Sequence, residues 1–181
     1  AQEAADRVGD DPALMRMLAG ILRDCQDVGG AHAWLSRALD AAPGDPGVLY
    51  DLALAEYHLN RPDDAEAHIA QLLDVVPLHA PALHLRSALR TQTASDNHVE
   101  DLRRRIDRAG ADPRLVAAAS YALAKELEDL DRFDESVAVL NRGARAFRST
   151  LNYDARAELE AHEEIRSVFT REAFQGLRPG D

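Results

Sequence analysis

Apolar and small residues recur along this chain in two interlocking periods. In the first stretch Met15, Leu18, Ala19 and Leu22 keep the i, i+3, i+4, i+7 spacing of one helical face. A second run, Ala31, Leu35 and Ala38, follows and ends at Pro43. The same order returns as Leu49, Leu52 and Ala53, then Ala65, Ile69 and Leu72, closed by Pro77. Ala31 and Ala65, Leu35 and Ile69, Leu39 and Leu73, and Pro43 and Pro77 are all 34 residues apart. Asp11-Pro12 recurs 34 residues on as Asp45-Pro46, and again as Asp112-Pro113. Each Asp-Pro pair predicts a helix start. The carboxylate accepts from first-turn amides, and proline at the first helical position loses no needed donor.

A 34-residue period made of two helical halves resembles the tetratricopeptide repeat, with small residues where paired helices cross and large ones between hairpins. The expected fold is therefore all-α, a right-handed superhelical solenoid of about four hairpins with a C-terminal capping helix. Its predicted bounds are residues 12–45, 46–79, 80–112 and 113–149, within a repeat region of 11–150. The third unit is degenerate: a helix from Pro81 to Arg90, a polar loop over 91–97, and a helix marked by Val99, Leu102 and Ile106. The fourth reads clearly through Leu123, Ala124, Leu127, Leu130 and Phe133, then Ser136, Leu140 and Gly143. A last helix, opened by Tyr153-Asp154 and carrying Leu159, Ile165, Val168 and Phe169, fills 151–175 as the cap. Residues 1–10 are expected to be a tail or helix remnant, and 176–181 the start of a linker.

Charge narrows the function classes. With 32 acidic against 21 basic side chains the net charge is −11, which argues against nucleic acid or an anionic membrane as partner, because such affinity comes from Lys and Arg. The single cysteine, Cys25, rules out an internal disulfide framework. No apolar run approaches a membrane span, and the first residues lack the apolar stretch of a signal peptide. A cytoplasmic location is expected. Arginine outnumbers the single lysine, Lys125, a bias expected of a GC-rich bacterium.

A second resemblance lies in the C-terminal half. The segments Leu89-Arg-Thr-Gln-Thr-Ala-Ser-Asp-Asn-His98, Tyr121-Ala-Leu-Ala-Lys-Glu-Leu-Glu-Asp-Leu130 and Asn152-Tyr-Asp-Ala-Arg156, with the helix through Ile165 to Thr170, are similar to bacterial sulfotransferases that carry an N-terminal tetratricopeptide region. The resemblance spans residues 12–175. It implies that a polar loop interrupts the third hairpin and that a Tyr-Asp pair introduces the helix joining repeats to enzyme. A sulfotransferase needs a strand, a Gly/Ser/Thr-rich loop and a helix to cradle its phosphosulfate donor. No such loop occurs here, so the chain is expected to be a non-catalytic repeat module without a cofactor.

Other chemistry is thinly supported. Of the seven histidines, His32, His58, His68, His79, His84, His98 and His162, no two stand at i, i+3 or i, i+4, the spacings a helical metal pair needs. They read as scattered surface and groove residues. In His162-Glu163-Glu164, Arg166 occupies the position of a second ligand. Cys25 reads as packing, and Glu126, Glu128, Asp129, Asp131, Asp134 and Glu135 as a solvated hairpin tip. The clusters Arg103, Arg104, Arg105, Arg108 and Arg142, Arg145, Arg148 fall on second helices, either pairing with nearby acids or docking an acidic partner.

The inner surface lined by first helices is the stronger candidate, because repeat arrays of this kind lay peptides there. Placing the sequence on that geometry predicts a peptide-binding groove of Arg16, then Tyr50, Leu54, Tyr57 and His58, then Tyr121, Lys125 and Glu128. Tyrosines suit recognition by joining apolar area to a polar tip. Lys125 is read either as a groove cation or as a structural pair with Glu128. A clamp for a peptide C-terminus is disfavoured, since its positions hold Arg16, Gly20, Asp51 and Leu85, and Asp51 would repel a carboxylate.

Overall fold

The computed structural model describes residues 9–110, 112–152 and 154–175. The expectations for residues 1–8, for Tyr153 and for 176–181 lie outside the described residues. The chain divides into two units, Ala1–Arg148 and Ser149–Asp181. In the first, helices α1 (Pro12–Asp24), α2 (Val28–Ala41), α3 (Pro46–His58), α4 (Pro62–Val75), α5 (Ala80–Ala88), α6 (Val99–Arg108), α7 (Pro113–Asp129) and α8 (Phe133–Arg148) follow one another. The second holds α9 (Ala155–Val168) and α10 (Arg171–Gln175). Among the described residues the extended pairing is one isolated bridge, Thr93 to Asp96.

The Asp-Pro signals act as the sequence predicts. Asp11, Asp45 and Asp112 are N-caps in extended conformation, and each carboxylate accepts from first-turn amides, at 2.8 Å from Ala13 and Val48 and 2.9 Å from Arg114. Pro43 and Pro77 each follow a helix C-cap, Ala42 and Val76, and stop the second helix of a hairpin. Turns inside hairpins repeat as well. Gln26, Asn60 and Asp131 all take positive φ, at 65°, 57° and 57°, so each reversal is made by one left-handed residue after the first helix.

Consecutive helices pack pairwise: α1 on α2, α2 on α3, α3 on α4, and α7 on α8. The template residues fill two layers. Met15, Ala19, Ala31, Leu35, Ala38, Val48, Leu52 and Ala55 form the first. Leu49, Ala53, Ala65, Ile69, Leu72 and Leu73 join Leu83, Leu102, Leu123 and Leu127 in a second that runs through to α7. No hairpin buries its apolar face alone, so stability is shared across neighbours.

The third unit departs furthest. Its first helix is nine residues long, ends at Ala88 rather than Arg90, and starts on His79, whose Nδ1 caps Ala82 N–H at 3.2 Å. Here α5 and α6 each pack chiefly on α7 rather than on one another. Helix α7 is 17 residues against 13 in α1 and α3, and this extra turn lets it receive both. In the fourth unit Phe133 and Leu140, expected in the interior, are exposed, while Ser136 and Gly143 make the contact. Gly143 is required there: a Cβ on it would stand 2.8 Å from Ser120 Cβ. The expected Leu85 of the inner surface is instead buried.

Candidate functional site

The first helices of the first two hairpins build one small pocket. Ala19, Ala31, Leu35 and Ala55 give it an apolar floor, and Arg16, Arg23, Asp51 and His58 stand around a shallow hollow with a cavity volume of about 10 Å³, room for one water. The hollow exists because Ala19, Gly20 and Ala55 carry almost no side chain at the crossing of α1 and α3. Arg16 lies over Gly47, where a Cβ would come within 2.5 Å of its guanidinium, and reaches Asp51 with Nε–Oδ2 2.6 Å. Asp51 is thereby neutralised. The expected repulsion of a carboxylate by Asp51 took no account of this partner.

The remaining α3 residues face other neighbours. Tyr50 is half-buried against the second apolar layer, its ring 5.2 Å from that of His79. Burial and the neighbouring Asp51 raise its hydroxyl pKa above the ordinary tyrosine value, partly offset by Arg23, so it stays a neutral donor. Leu54 packs on the same layer. Tyr57 is 41 % exposed, beside His58 with ring centroids 5.4 Å apart. The predicted groove residues thus gather Arg16 and His58 at one pocket, with Tyr57 adjacent, while Tyr50 and Leu54 serve mainly as packing.

On α7 the reading changes more. Tyr121 is exposed and lies toward α8, with Cε1 3.6 Å from where a Cβ on Gly143 would sit. Lys125 does not pair with Glu128. Its Nζ bonds Asp129 Oδ2 at 2.6 Å, one turn on, and the Arg90 carbonyl at 2.8 Å, because the loop after α5 lies over that side of α7. Glu128 is exposed. Lys125 is a tie between helix and loop.

The acidic cluster is no solvated tip throughout. Glu126 is fully buried and accepts from Ser87 Oγ at 2.8 Å, from the His98 amide at 2.6 Å and from His98 Nδ1 at 3.1 Å. Burial alone would raise its pKa, but these donors, His98 foremost, outweigh it and hold the carboxyl below its ordinary value. His98 reaches Glu66 through Nε2 at 3.0 Å, and Asp129 accepts the Gln92 amide at 2.8 Å. A parallel node stands in the second hairpin, where buried Glu56 meets His68 Nδ1 at 2.8 Å and His32 Nε2 at 3.3 Å. Three of the histidines expected to be scattered surface groups are therefore partners of glutamates. A half-buried ion pair, Arg86 to Asp101 at 2.7 Å, fastens α5 to α6. Burial opposes ionisation of Asp101, yet bonds from Arg105 and Arg86 keep its pKa low.

Sequence reasoning missed these partners because they are 12 to 39 residues apart and come from different elements. The one available hint was a glutamate on the apolar side of its helix, as at Glu56 and Glu126. Cys25 caps α1 and is exposed rather than packed. Of the arginine clusters, Arg103 bonds Glu135 at 2.7 Å and Arg105 bonds Asp101 at 2.6 Å, as ordinary pairing predicts. Among the described residues no helix is long and apolar enough to cross a membrane.

Residues 22–89 match the model of the tetratricopeptide repeat. Over that span the helical pairs are similar to tetratricopeptide repeats. The matched span runs from the end of α1 through α5 and so contains the second hairpin whole, with its Leu49, Ala65, Ile69 and Pro77 template. A solved structure of the first tetratricopeptide domain of Spaghetti (RPAP3), bound to an HSP90 peptide SRMEEVD, is similar at 15% identity with a TM-score of 0.45, covering 78% of this chain and 97% of that one. No match was found among curated proteins.

Proposed function

We propose that this chain is a non-catalytic protein- or peptide-binding module, working through the first-helix surface of α1 and α3 and extending to Tyr121 on α7. The observation that carries this reading is the shallow pocket with an apolar floor and an Arg16, Arg23 and His58 rim, beside a tetratricopeptide match over residues 22–89. An extended segment lying across this shallow hollow sets its backbone or an acidic side chain against the cationic rim. By its resemblance in the segments 89–98, 121–130 and 152–156, the module is the N-terminal region of a bacterial sulfotransferase-like protein, cytoplasmic, and it recruits or orients a protein substrate for a downstream catalytic domain. A free-standing adaptor uses the same surface without that domain, and the reading frame after Asp181 discriminates the two through a phosphate-cradling loop.

The binding surface is tested by screening a random peptide library against the chain and titrating the best peptide calorimetrically. His58→Ala and Arg23→Ala are expected to weaken it at least about tenfold, the loss of one well-placed polar contact, with helicity unchanged. Tyr121→Ala is expected to weaken only peptides long enough to reach α7. Unaltered affinity in all three variants would place the interface elsewhere.

A further inference from the structure

His98 ends the segment that joins α5 to α6, and both of its ring nitrogens stand against carboxylate oxygens. Nδ1 is 3.1 Å from Glu126 Oε1 on α7, and Nε2 is 3.0 Å from Glu66 Oε1 on α4. The node at Glu56 differs, since His68 and His32 each meet that carboxylate through one nitrogen. A neutral imidazole carries a single ring N–H, and an ionised carboxylate only accepts. One ring proton on each histidine therefore serves at Glu56. His98 bonds both of its carboxylates only when both nitrogens carry a proton.

Both carboxylates have the partners of ionised groups. Glu126 also accepts from Ser87 Oγ and the His98 amide, and Glu66 accepts from Arg90. Arg90 in turn meets Asp63 of α4 and Asp96 of the connecting segment. Lys125 and Asp129, also on α7, pair with one another. Carboxylates thus outnumber the guanidinium around the ring, and a ring cation offsets the excess.

We propose that His98 is a proton-dependent clasp between α4 and α7. With both nitrogens protonated it ties Glu66 to Glu126; on losing one proton it keeps Glu126 and lets Glu66 go. The order follows from burial. Glu126 is fully buried, and no water replaces a donor lost there. The Glu66 side chain is 27% exposed and keeps Arg90. The neutral ring therefore retains Nδ1–H, the less common tautomer of a free side chain. Rising pH loosens the connecting segment from α4 but leaves it on α7, through Glu126 and through Asp129, which accepts the Gln92 amide. The contribution of the clasp to stability is present at low pH and lost as pH rises.

Nitrogen-15 NMR of the full chain, from about pH 5.5 to about pH 9 to span histidine titration, reads the ring directly. His98, assigned by through-bond correlation to its own backbone, is expected to show two protonated nitrogens at the acid end. At the alkaline end Nδ1 is protonated and Nε2 bare. Urea unfolding over the same range reads the effect on the fold. The stability of the parent relative to His98→Gln is expected to fall as pH rises, by about tenfold in the unfolding equilibrium, the worth of one charge-assisted bond. Glu66→Gln presents either a donor or an acceptor to Nε2, so its stability should not follow the ring proton. A ring with one protonated nitrogen at the acid end, a neutral ring that keeps Nε2–H, or a pH dependence unchanged in both variants would each overturn the proposal.

Discussion

The first two hairpins and the third unit hold the same kind of helices together by different means. In α1 to α4 small and large apolar residues share each layer, Ala19 and Ala31 with Leu35, Ala53 and Ala65 with Ile69, with one buried carboxylate, Glu56, held by His68 and His32. In the third unit the first helix is cut to nine residues, and the segment after it is pinned by charge. Glu126, Glu66, Lys125 and Asp129 hold His98, Arg90 and Gln92 from α4 and α7. The difference teaches what shortening a helix requires. Backbone groups that a longer helix would satisfy internally need other partners, and buried carboxylates from neighbouring helices provide them.

The sharpest way to break this comparison is Glu126→Ala. It strands the Ser87 hydroxyl and two His98 donors in the interior, and the expected loss is about 3–5 kcal/mol in urea unfolding. A loss below about 1 kcal/mol, the worth of an exposed pair, would mean that the polar segment is decoration rather than support. Ile69→Ala, removing a fully buried side chain from the regular layer, is expected to cost about 3 kcal/mol. The two losses should add, apart from coupling through α4, if the regions are as distinct as their chemistry.

Acid separates the regions next. Asp101 and Glu126 have pKa values depressed in the folded state, so their stabilisation is complete above the ordinary values of 3.8 and 4.5 and is lost as pH falls through the depressed ones. Glu126→Gln should therefore flatten the acid limb of a stability-against-pH curve, with Glu126 already neutral. His79 acts in the same direction at higher pH. Burial lowers its pKa from 6.5, and protonation removes the acceptor that caps Ala82, so stability declines as pH drops below about 6.5. His79→Asn keeps a cap without titrating and should erase that part of the decline. The smallest expected effect is Asp45→Ala, about 1 kcal/mol from loss of one N-cap, measured by thermal unfolding. It should not exceed that of Asp112→Ala, whose carboxylate takes two first-turn amides where that of Asp45 takes one.

How legible the molecule is depends on the distance over which its information is carried. Asp11, Asp45 and Asp112 signal locally, within three residues, and all three cap as their neighbours dictate. The 34-residue spacing of Ala31 and Ala65 is also a repeat of local pattern, and both are buried. Lys125 shows the opposite case. Glu128 and Asp129 are both within reach along α7, and the choice of Asp129 follows from the Arg90 carbonyl, brought there by a loop 35 residues away. Glu126 looked like one of many acids near a turn, and only the arrival of Ser87 and His98 makes it a buried node. For the candidate site, Arg16 and His58, expected on the inner surface, both line the one small pocket. The pairing of Arg16 with Asp51 was not legible, because it depends on bare Gly47 and on the crossing of α1 and α3.

The order of apolar, small and capping residues by itself determined an all-helical array of stacked hairpins, since helix starts, stops and seams are set by neighbours within a few turns. The tertiary structure alone decided which charged groups are buried, which apolar residues of α8 stay open, and that Asp51 is matched. Those outcomes depend on which atoms from remote segments replace water around each group, and spacing along the chain carries no record of that exchange.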